Sequence, residues 1–153
     1  MVRLSQFEES ERRHLLDLPC PTYPETPLVS GIRLSAARLA LISTAGLHRR
    51  SDRPFSIGEH GYRIIPGNCR ARELVMSHVS KNFDRTGYQH DLNIVFPIDR
   101  LNEMVAEGHL GSLAEFHYSF MGATDPTQME HEARQLAAIL RKDRVTAALL
   151  VPV

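Results

Sequence analysis

The sequence predicts an α/β fold, a three-layer sandwich with a mostly parallel sheet, preceded by an irregular proline-rich arm. Two observations predict this class: continuous apolar runs, typical of strands covered on both faces, and segments whose apolar residues recur at helical spacing. Their alternation along the chain favours a largely parallel sheet. At 153 residues the chain is long enough to bury one core. We expect the arm over residues 1–36 and a single domain over residues 37–153.

The arm is expected to begin with a short polar helix near Ser5–Leu16 and then to lose regular structure. Prolines fix φ and remove backbone donors, so a dense run of them interrupts helices and strands. The prolines of this run are Pro19, Pro21, Pro24 and Pro27. We expect such a segment to wrap either the domain or a partner subunit.

Apolar runs mark the strands of the predicted sheet. The first run is closed by Ala45-Gly46, and a long loop is expected over residues 47–61, where arginines, a proline and glycines show no periodicity. The last run is expected to be a central parallel strand because it is uniformly apolar. The predicted strands are Arg38–Thr44, Tyr62–Pro66, a short strand within Glu73–Val79, Asn93–Phe96 and Val145–Val151.

Two amphipathic helices lie between these strands. The first is expected over Arg100–Glu107, with the Asp99 carboxylate accepting amide protons at its start and Gly108 allowing a left-handed turn at its end. The second is expected to begin after Asp125, because Pro126 suits the first helical position. The apolar stripe of the second helix consists of Met129, Ala133, Leu136, Ala137 and Leu140.

Composition restricts the classes of partner. The 18 basic and 18 acidic residues produce no global field that favours nucleic acid or an anionic membrane. One cluster, Arg49-Arg50 with Arg53, is either a local basic patch or, more simply, a solvated loop. No apolar run of about 18 residues exists to span a membrane. Charged residues between Glu8 and Arg13 argue against a signal peptide, so the cytoplasm is the expected compartment.

Several familiar sites are missing from the sequence. The two cysteines, Cys20 and Cys69, have neither disulfide-scaffold nor zinc-finger spacing, so each is expected to be a reduced thiol. None of the eight histidines stands in an HxxxH, HxH or HExxH motif, so no metal site is predicted. Glycine-rich nucleotide loops and the GxSxG elbow of serine hydrolases are also absent.

The carboxyl edge of the predicted sheet is the expected binding site, because ligands of parallel sheets bind beyond the carboxyl ends of the strands. Three parts of the chain should meet at this edge. They are the loop after Thr44, the residues after Phe96 and the chain after Val151.

Two groups of polar residues accompany the predicted strands. Asp91 and Asn93 should point to the same side, where they could orient one polar ligand or, as in many turns, bond local amides. His117 and Ser119 should also face the same way if their segment is extended. That pattern is compatible with a buried histidine bonded to the backbone and with a proton donor that orients a substrate.

Four motifs follow one another in the chain: RIIP, DLNIVFPIDRL, EGHLGSLAEFHYSFMG and AALLVPV. This order resembles the selenoprotein B family of glycine/sarcosine/betaine and proline reductases, over Ala37 to Val153, and is closer to the short, proline-reductase-type members. The resemblance implies an α/β reductase that cleaves a carbon–nitrogen bond of a small amino-acid-like substrate. It also implies that a dithiol donor supplies electrons through a selenocysteine or cysteine, which the family places just after the "VPV" strand end.

The chain departs from the family pattern at this position. No residue follows Val153, and neither Cys20 nor Cys69 matches the missing nucleophile. Either a selenocysteine codon is read as a stop, or the chain is naturally short and serves as a non-catalytic ligand-binding or assembly protein. We expect the chain to be inactive without residue 154. We also expect another copy or a partner subunit to cover the last strand.

The resemblance, joined to the strand-end positions, suggests roles for seven residues. The catalytic candidates are Asp91, Ser119 and His117, the last as the proton donor. The substrate-binding candidates are Thr44, Gly46, His78 and Asn93. The expected partners are a small nitrogenous substrate and a thiol electron donor, and neither nucleic acid nor a membrane is expected. Whether a pyruvoyl-bearing partner subunit is needed stays open.

Overall fold

A computed structural model describes residues 3–25, 28–80 and 83–153. It has a mixed α/β fold with one five-stranded, mostly parallel sheet and a second sheet of two strands, which confirms the predicted fold class. The strands are β1 Arg38–Ser43, β2 Leu47–Arg49, β3 Tyr62–Pro66, β4 Leu74–Met76, β5 Ser112–Leu113, β6 Phe116–Phe120 and β7 Ala147–Val151. The helices are α1 Glu9–Leu16, α2 Thr86–His90, α3 Ile98–Ala106 and α4 Glu130–Lys142.

β1 lies at the centre of the large sheet because it pairs with three other strands. β7 pairs with it in parallel along five residues, from Leu39↔Ala147 to Ser43↔Val151. On the other side, β5 pairs with the first part of β1 and β6 with the last part, both in parallel. β3 extends the sheet beyond β6 as an antiparallel strand. The prediction that the final strand is central is wrong: within the described residues β7 pairs with β1 alone and lies at the edge.

Helices and turns cover both faces of the large sheet, as the three-layer prediction requires. On one face, Leu136 of α4 packs with Tyr118 and Phe120 of β6. On the other face, α3 and the turn before it pack against β1 and β7. The core on the α3 face includes Leu39, Leu41, Val95, Phe96, Ile98 and Leu101. Burying one side chain of this size contributes roughly 1.5–3 kcal/mol, so these two cores stabilise the layers against each other.

Arg38, the first residue of β1, ties the amino edge of the sheet together. Its guanidinium donates to the carbonyl oxygens of Leu113 (2.6 Å) and Asp143 (2.7 Å) and pairs with the Asp143 carboxylate. That carboxylate also accepts the N–H of Glu115 at 2.9 Å. Burial acts to raise the pKa of Asp143, but the hydrogen bonds from Arg38 and Glu115 outweigh it and lower the pKa. One ion pair therefore joins β1, the segment between β5 and β6, and the end of α4.

The run Asn93–Phe96 does not form the strand predicted for it. Asp91 instead accepts the backbone N–H of Asn93 at 2.9 Å and caps a short 3-10 turn. α3 begins at Ile98, one residue before the predicted cap Asp99, and the Asn93 side chain accepts the Asp99 N–H at 3.1 Å. Short polar side chains of this kind bond local amides and therefore compete with strand pairing.

The prediction of a loop over residues 47–61 is wrong for the first three of these residues, which form β2. This strand pairs antiparallel with β4, which lies within the predicted strand Glu73–Val79. The start of the second predicted helix is confirmed. Asp125 accepts the Thr127 N–H at 2.9 Å, and Pro126 opens a 3-10 turn that leads into α4.

The N-terminal arm adds little to either core. α1 contains no buried residue, and no regular element occurs within the described residues 17–25 and 28–33. Pro27 of the predicted proline run lies outside the described residues. In the part of the chain that the structure describes, no helix combines the length and the apolar character needed to cross a bilayer.

His117 of β6 is completely buried in the sheet. Its Nδ1 accepts the Leu41 N–H at 3.1 Å, so the proton of the neutral ring lies on Nε2. Its ring stands edge-on to Phe96 with the centroids 6.1 Å apart. Burial lowers the pKa of His117 to about 4, with Asp143 acting weakly in the opposite direction. The residue is therefore a neutral component of the core near pH 7.

The buried His117 should make stability depend on pH. Its pKa is near 6.5 in the unfolded chain and about 4 in the folded chain, so the unfolded state takes up the proton first as the pH falls. We expect this residue to cost about 2 kcal/mol of unfolding free energy between pH 7.5 and pH 5. Urea unfolding at the two pH values measures the loss. His117→Asn keeps an acceptor for Leu41 and should lose correspondingly less; equal losses in the two proteins would contradict the assignment.

Candidate functional site

Thr44 fixes the chain beyond β7 at the carboxyl edge of the sheet. Its backbone N–H donates to the Val151 carbonyl at 3.1 Å and so continues the pairing of β1 with β7. Its Oγ1 accepts the Val153 N–H at 2.8 Å and lies 3.3 Å from the Val153 oxygen, to which it can donate. The hydroxyl of one side chain therefore holds Val153 at the end of β1.

Two glycines allow the strand ends to approach closely. Gly46 has φ +67°, and its N–H donates to the Phe120 carbonyl at 2.8 Å. A Cβ on Gly46 would lie 3.1 Å from the backbone nitrogen of His78. A Cβ on Gly122 would lie 2.5 Å from the Val153 oxygen, so a side chain here would push that oxygen away. The lack of a side chain at Gly46 lets the backbone after β1 approach that after β4, and the lack of one at Gly122 lets the backbone after β6 approach those after β1 and β7.

His78 reaches this edge because the chain after β4 is bonded to the chain after β1. The Ser77 N–H donates to the Gly46 carbonyl at 3.0 Å. His78 is buried, and its Nδ1 accepts the Ser80 N–H at 3.2 Å, which leaves the proton of the neutral ring on Nε2. Nε2 has no hydrogen-bond partner of normal geometry among the described residues. The Val153 backbone nevertheless acts on the ring as a hydrogen-bond partner, so the buried Nε2–H lies close to the chain end at the edge of the sheet.

Charge and burial keep His78 neutral. Burial lowers the pKa of His78 most, and the positive charge of Arg85 lowers it further, whereas the Val153 backbone raises it and so lies beside the ring. The Arg85 guanidinium donates to three carbonyl oxygens of the same segment, His78 (2.5 Å), Ser80 (3.0 Å) and Phe83 (3.3 Å). Arg85 was not predicted as a site residue, because nothing in the sequence around an isolated arginine indicates that it will donate to nearby carbonyl oxygens.

The structure brings together some of the predicted site residues and separates others. Thr44, Gly46 and His78 meet at the carboxyl edge, and Ser119 lies directly below it. The Ser119 Oγ accepts the N–H of Leu47, the residue after Gly46, at 2.8 Å. The other three predicted residues, Asp91, Asn93 and His117, form no hydrogen bond with these edge residues in the described chain.

Asp91 and Asn93 bond to each other in an exposed turn. The Asn93 side-chain amide donates to Asp91 at 2.9 Å and to Asp99 at 3.0 Å. The turn nevertheless contacts the end of β1, because the Ser43 Oγ donates to the Val95 carbonyl at 2.8 Å. The catalytic roles of Asp91, His117 and Ser119 and the binding role of Asn93 stay predictions.

An apolar groove of about 240 Å³ lies beside this edge, between α4 and β7. Leu150 of β7 is 66% exposed on this side of the sheet. The groove is lined by Ile42, Thr44, Phe120, Met129, Ala133, Leu136, Ala137, Leu140 and Leu150. An exposed apolar surface of this kind is typical of a contact with further polypeptide.

Thiols and metal ligands do not gather at the edge. Cys20 is exposed in the arm, and Cys69 lies half-buried near Arg49 and Glu73, where burial above all raises the pKa of the thiol. Within residues 3–25, 28–80 and 83–153, no group of three or more His, Cys, Asp or Glu side chains is arranged to hold a metal ion.

Curated proteins that are similar to this chain are named as subunits of proline, glycine and betaine reductases. D-proline reductase subunit gamma of Acetoanaerobium sticklandii is 30% identical over 115 residues, which cover 73% of this chain and 47% of that protein. Glycine reductase complex component B subunit gamma of Carboxydothermus hydrogenoformans is 26% identical over 140 residues, which cover 88% of this chain and 32% of that protein. Betaine reductase complex component B subunit beta of Peptoclostridium acidaminophilum is 25% identical over 141 residues, with the same coverage of 88% and 32%.

The chain spans less than half the length of these curated relatives. No solved structure matches it. The model of the family described as glycine/sarcosine/betaine reductase selenoprotein B matches residues 10–153. Because that match includes the whole sheet and both helices that cover it, the chain belongs to the glycine/sarcosine/betaine reductase selenoprotein B family.

Proposed function

We propose that the chain is a subunit of a reductase that cleaves a carbon–nitrogen bond of a small amino-acid-like substrate with electrons from a dithiol. The observation that carries this proposal is the meeting of Thr44, His78 and Val153 at the carboxyl edge of the sheet, in a chain of this family. The substrate class is supported by the relatives, which are named as subunits of D-proline, glycine and betaine reductases.

The edge residues suit this chemistry in three ways. Thr44 holds the backbone of Val153, and Gly46 lets the chain after β4 approach it. His78 has a buried Nε2–H beside the Val153 backbone, where it could donate to an anionic sulfur, selenium or carboxylate group. The charge of Arg85 helps to keep that ring neutral, so it donates a hydrogen bond without acquiring a charge. A selenolate or thiolate at this edge supplies the nucleophile for reductive cleavage, and the reduced dithiol supplies two electrons and two protons.

We further propose that other polypeptide covers β7 and the apolar groove beside it, either a partner subunit or a second copy. The exposed side of Leu150 and the edge position of β7 support this. The relatives are named as subunits of larger complexes, which supports partner subunits. The two cysteines are free thiols, in keeping with a protein that acts in the cytoplasm.

A second candidate function is non-catalytic binding or assembly on the same fold. It is favoured by the positions of the thiols, since Cys20 lies in the exposed arm and Cys69 beside Arg49. The coding DNA after codon 153 separates the two functions. An in-frame UGA followed by an open frame supports the reductase, whereas another stop codon without a following frame supports the binding protein.

Adding one cysteine after Val153 tests the reductase site directly. We expect iodoacetamide alkylation to show a thiol pKa below the ordinary value of about 8.5, because the His78 Nε2–H stabilises the thiolate. His78→Phe in the extended protein should raise that pKa towards the ordinary value. Dithiothreitol-dependent reduction of D-proline by the cysteine form, but not by a matched serine form, would add support. An ordinary thiol pKa that is indifferent to His78→Phe would contradict the proposed site.

The pKa of His78 should depend on the charge of Arg85. Because that charge lowers the pKa of His78, Arg85→Gln should raise it towards 6.5, and Arg85→Lys should leave it low. Imidazole resonances followed by NMR from pH 4 to pH 8 measure the change. Arg134→Gln on the exposed side of α4 serves as the control. Identical titration of His78 in the Gln and Lys variants would show that Arg85 only holds the loop in shape.

A further inference from the structure

A groove of four arginines lies at the other end of the two-stranded sheet from the candidate site. Arg49 ends β2, Arg50 follows it, and Arg70 and Arg72 come from the turn before β4. Two adjoining cavities, of about 410 and 460 Å³, share Arg49, Arg72 and Glu73 in their linings. We call this surface the arginine groove. It is assembled from segments about twenty residues apart in the chain, so it is a product of the pairing of β2 with β4.

Most of the positive charge in the arginine groove has no acidic partner. Arg49 pairs with Asp52 at 3.0 Å, but Arg50, Arg70 and Arg72 form no ion pair with any described residue. The Arg50 Nε donates to the Arg72 carbonyl at 2.9 Å. The one carboxylate in the lining, that of Glu73, accepts the backbone N–H of Arg70 at 2.7 Å.

The neighbouring arginines show that this excess charge is local. Arg53, the third arginine of the basic cluster in the sequence, pairs with Glu59 at 3.0 Å. Arg63 pairs with the same carboxylate at 2.7 Å. The structure therefore divides the sequence cluster. Arg53 is paired with an acid of the fold, whereas Arg50 donates to the Arg72 carbonyl on a surface whose cavity linings contain one carboxylate, that of Glu73.

We propose that the arginine groove binds an acidic segment of a partner polypeptide. Guanidinium groups form bidentate hydrogen bonds with carboxylates, and arginine is enriched in protein interfaces. The two adjoining cavities favour an extended ligand over a single small anion. The relatives are named as subunits of complexes, so partner polypeptides exist for proteins of this kind. This proposal does not depend on the proposed reductase activity.

The position of the groove suits an anchor for such a partner. Three residue pairs, from Arg49↔Leu74 to Leu47↔Met76, connect the groove to the candidate site. Beyond the last pair lie Gly46 and Ser77, which are bonded to each other at the carboxyl edge. A rise of about 3.4 Å per residue places the two surfaces roughly 10 Å apart. A segment held in the groove would therefore hold its own subunit next to the carboxyl edge without filling it.

The test uses the full chain and a fluorescein-labelled peptide of eight glutamates, followed by fluorescence anisotropy at low salt. We expect Arg50→Gln/Arg72→Gln to weaken binding roughly tenfold or more, because charge-assisted hydrogen bonds are lost. The matched control, Arg33→Gln/Arg141→Gln, removes the same charge from exposed positions outside the cavity linings and should change binding less than twofold. All four side chains are exposed, and circular dichroism melts check that the variants remain folded.

Each other outcome overturns the proposal. Equal weakening in the groove and control variants would show non-specific attraction to positive charge. Absence of peptide binding by the unaltered chain would show that the groove does not take acidic segments. Stoichiometric binding of inorganic phosphate that displaces the peptide at low millimolar concentration would assign the groove to a small anion instead.

Discussion

The pairing of β1 with β5, β6 and β7 is the constraint on which the rest of the structure depends. The parallel register with β7 ends at Ser43↔Val151, so the next residue of β1, Thr44, meets the backbone of Val153. A slip of one residue would turn every side chain of β7 to the opposite face of the sheet. Leu149 and Val151 would then leave the core and Thr44 would lose its partner. The ion pair of Arg38 with Asp143 holds the same register from the amino edge.

This register gives the carboxyl edge its chemical character. The strand ends are packed so closely that two glycines face atoms a Cβ would crowd, and the His78 ring brought to them is buried with a lowered pKa. Hydrogen bonds in such a low-dielectric environment are stronger than in water, and an uncommitted donor is correspondingly costly unless a ligand uses it. The His78 Nε2–H lies beside the Val153 backbone without normal hydrogen-bond geometry. Arg85 donates to the His78 carbonyl, and its charge lowers the pKa of the ring.

Two exposed surfaces of different chemistry lie near the edge. On the α4 side, an apolar groove lies next to the unpaired side of β7, where Leu150 is exposed. At the far end of the small sheet, four arginines form a second and chemically different surface, and three of them form no ion pair with any described residue. One is suited to hydrophobic cover and the other to carboxylates. The relatives, which are longer than this chain and are named as subunits, are consistent with both kinds of contact.

The sequence by itself determined the elements whose signals are local. β1 and β7 follow from continuous apolar runs, and the start of the second helix follows from Asp125 and Pro126. The sequence also indicated the family, which the comparison confirmed. Local patterns failed at Asn93–Phe96, because periodicity does not show that Asp91 and Asn93 will bond nearby amides and α3 instead of pairing as a strand.

Only the tertiary structure decided where these elements meet. An apolar run does not distinguish a central strand from an edge strand that lacks a neighbour, so the position of β7 could not be obtained from its composition. The positions of Thr44 and Gly46 at the end of a strand predicted correctly that both lie at the edge. The contact of His78 with Val153 could not be predicted in this way, because it depends on the β2–β4 pairing and on the hydrogen bond from Arg85 to the His78 carbonyl. Such contacts join residues far apart in the chain, and their geometry depends on the packing of the whole sheet.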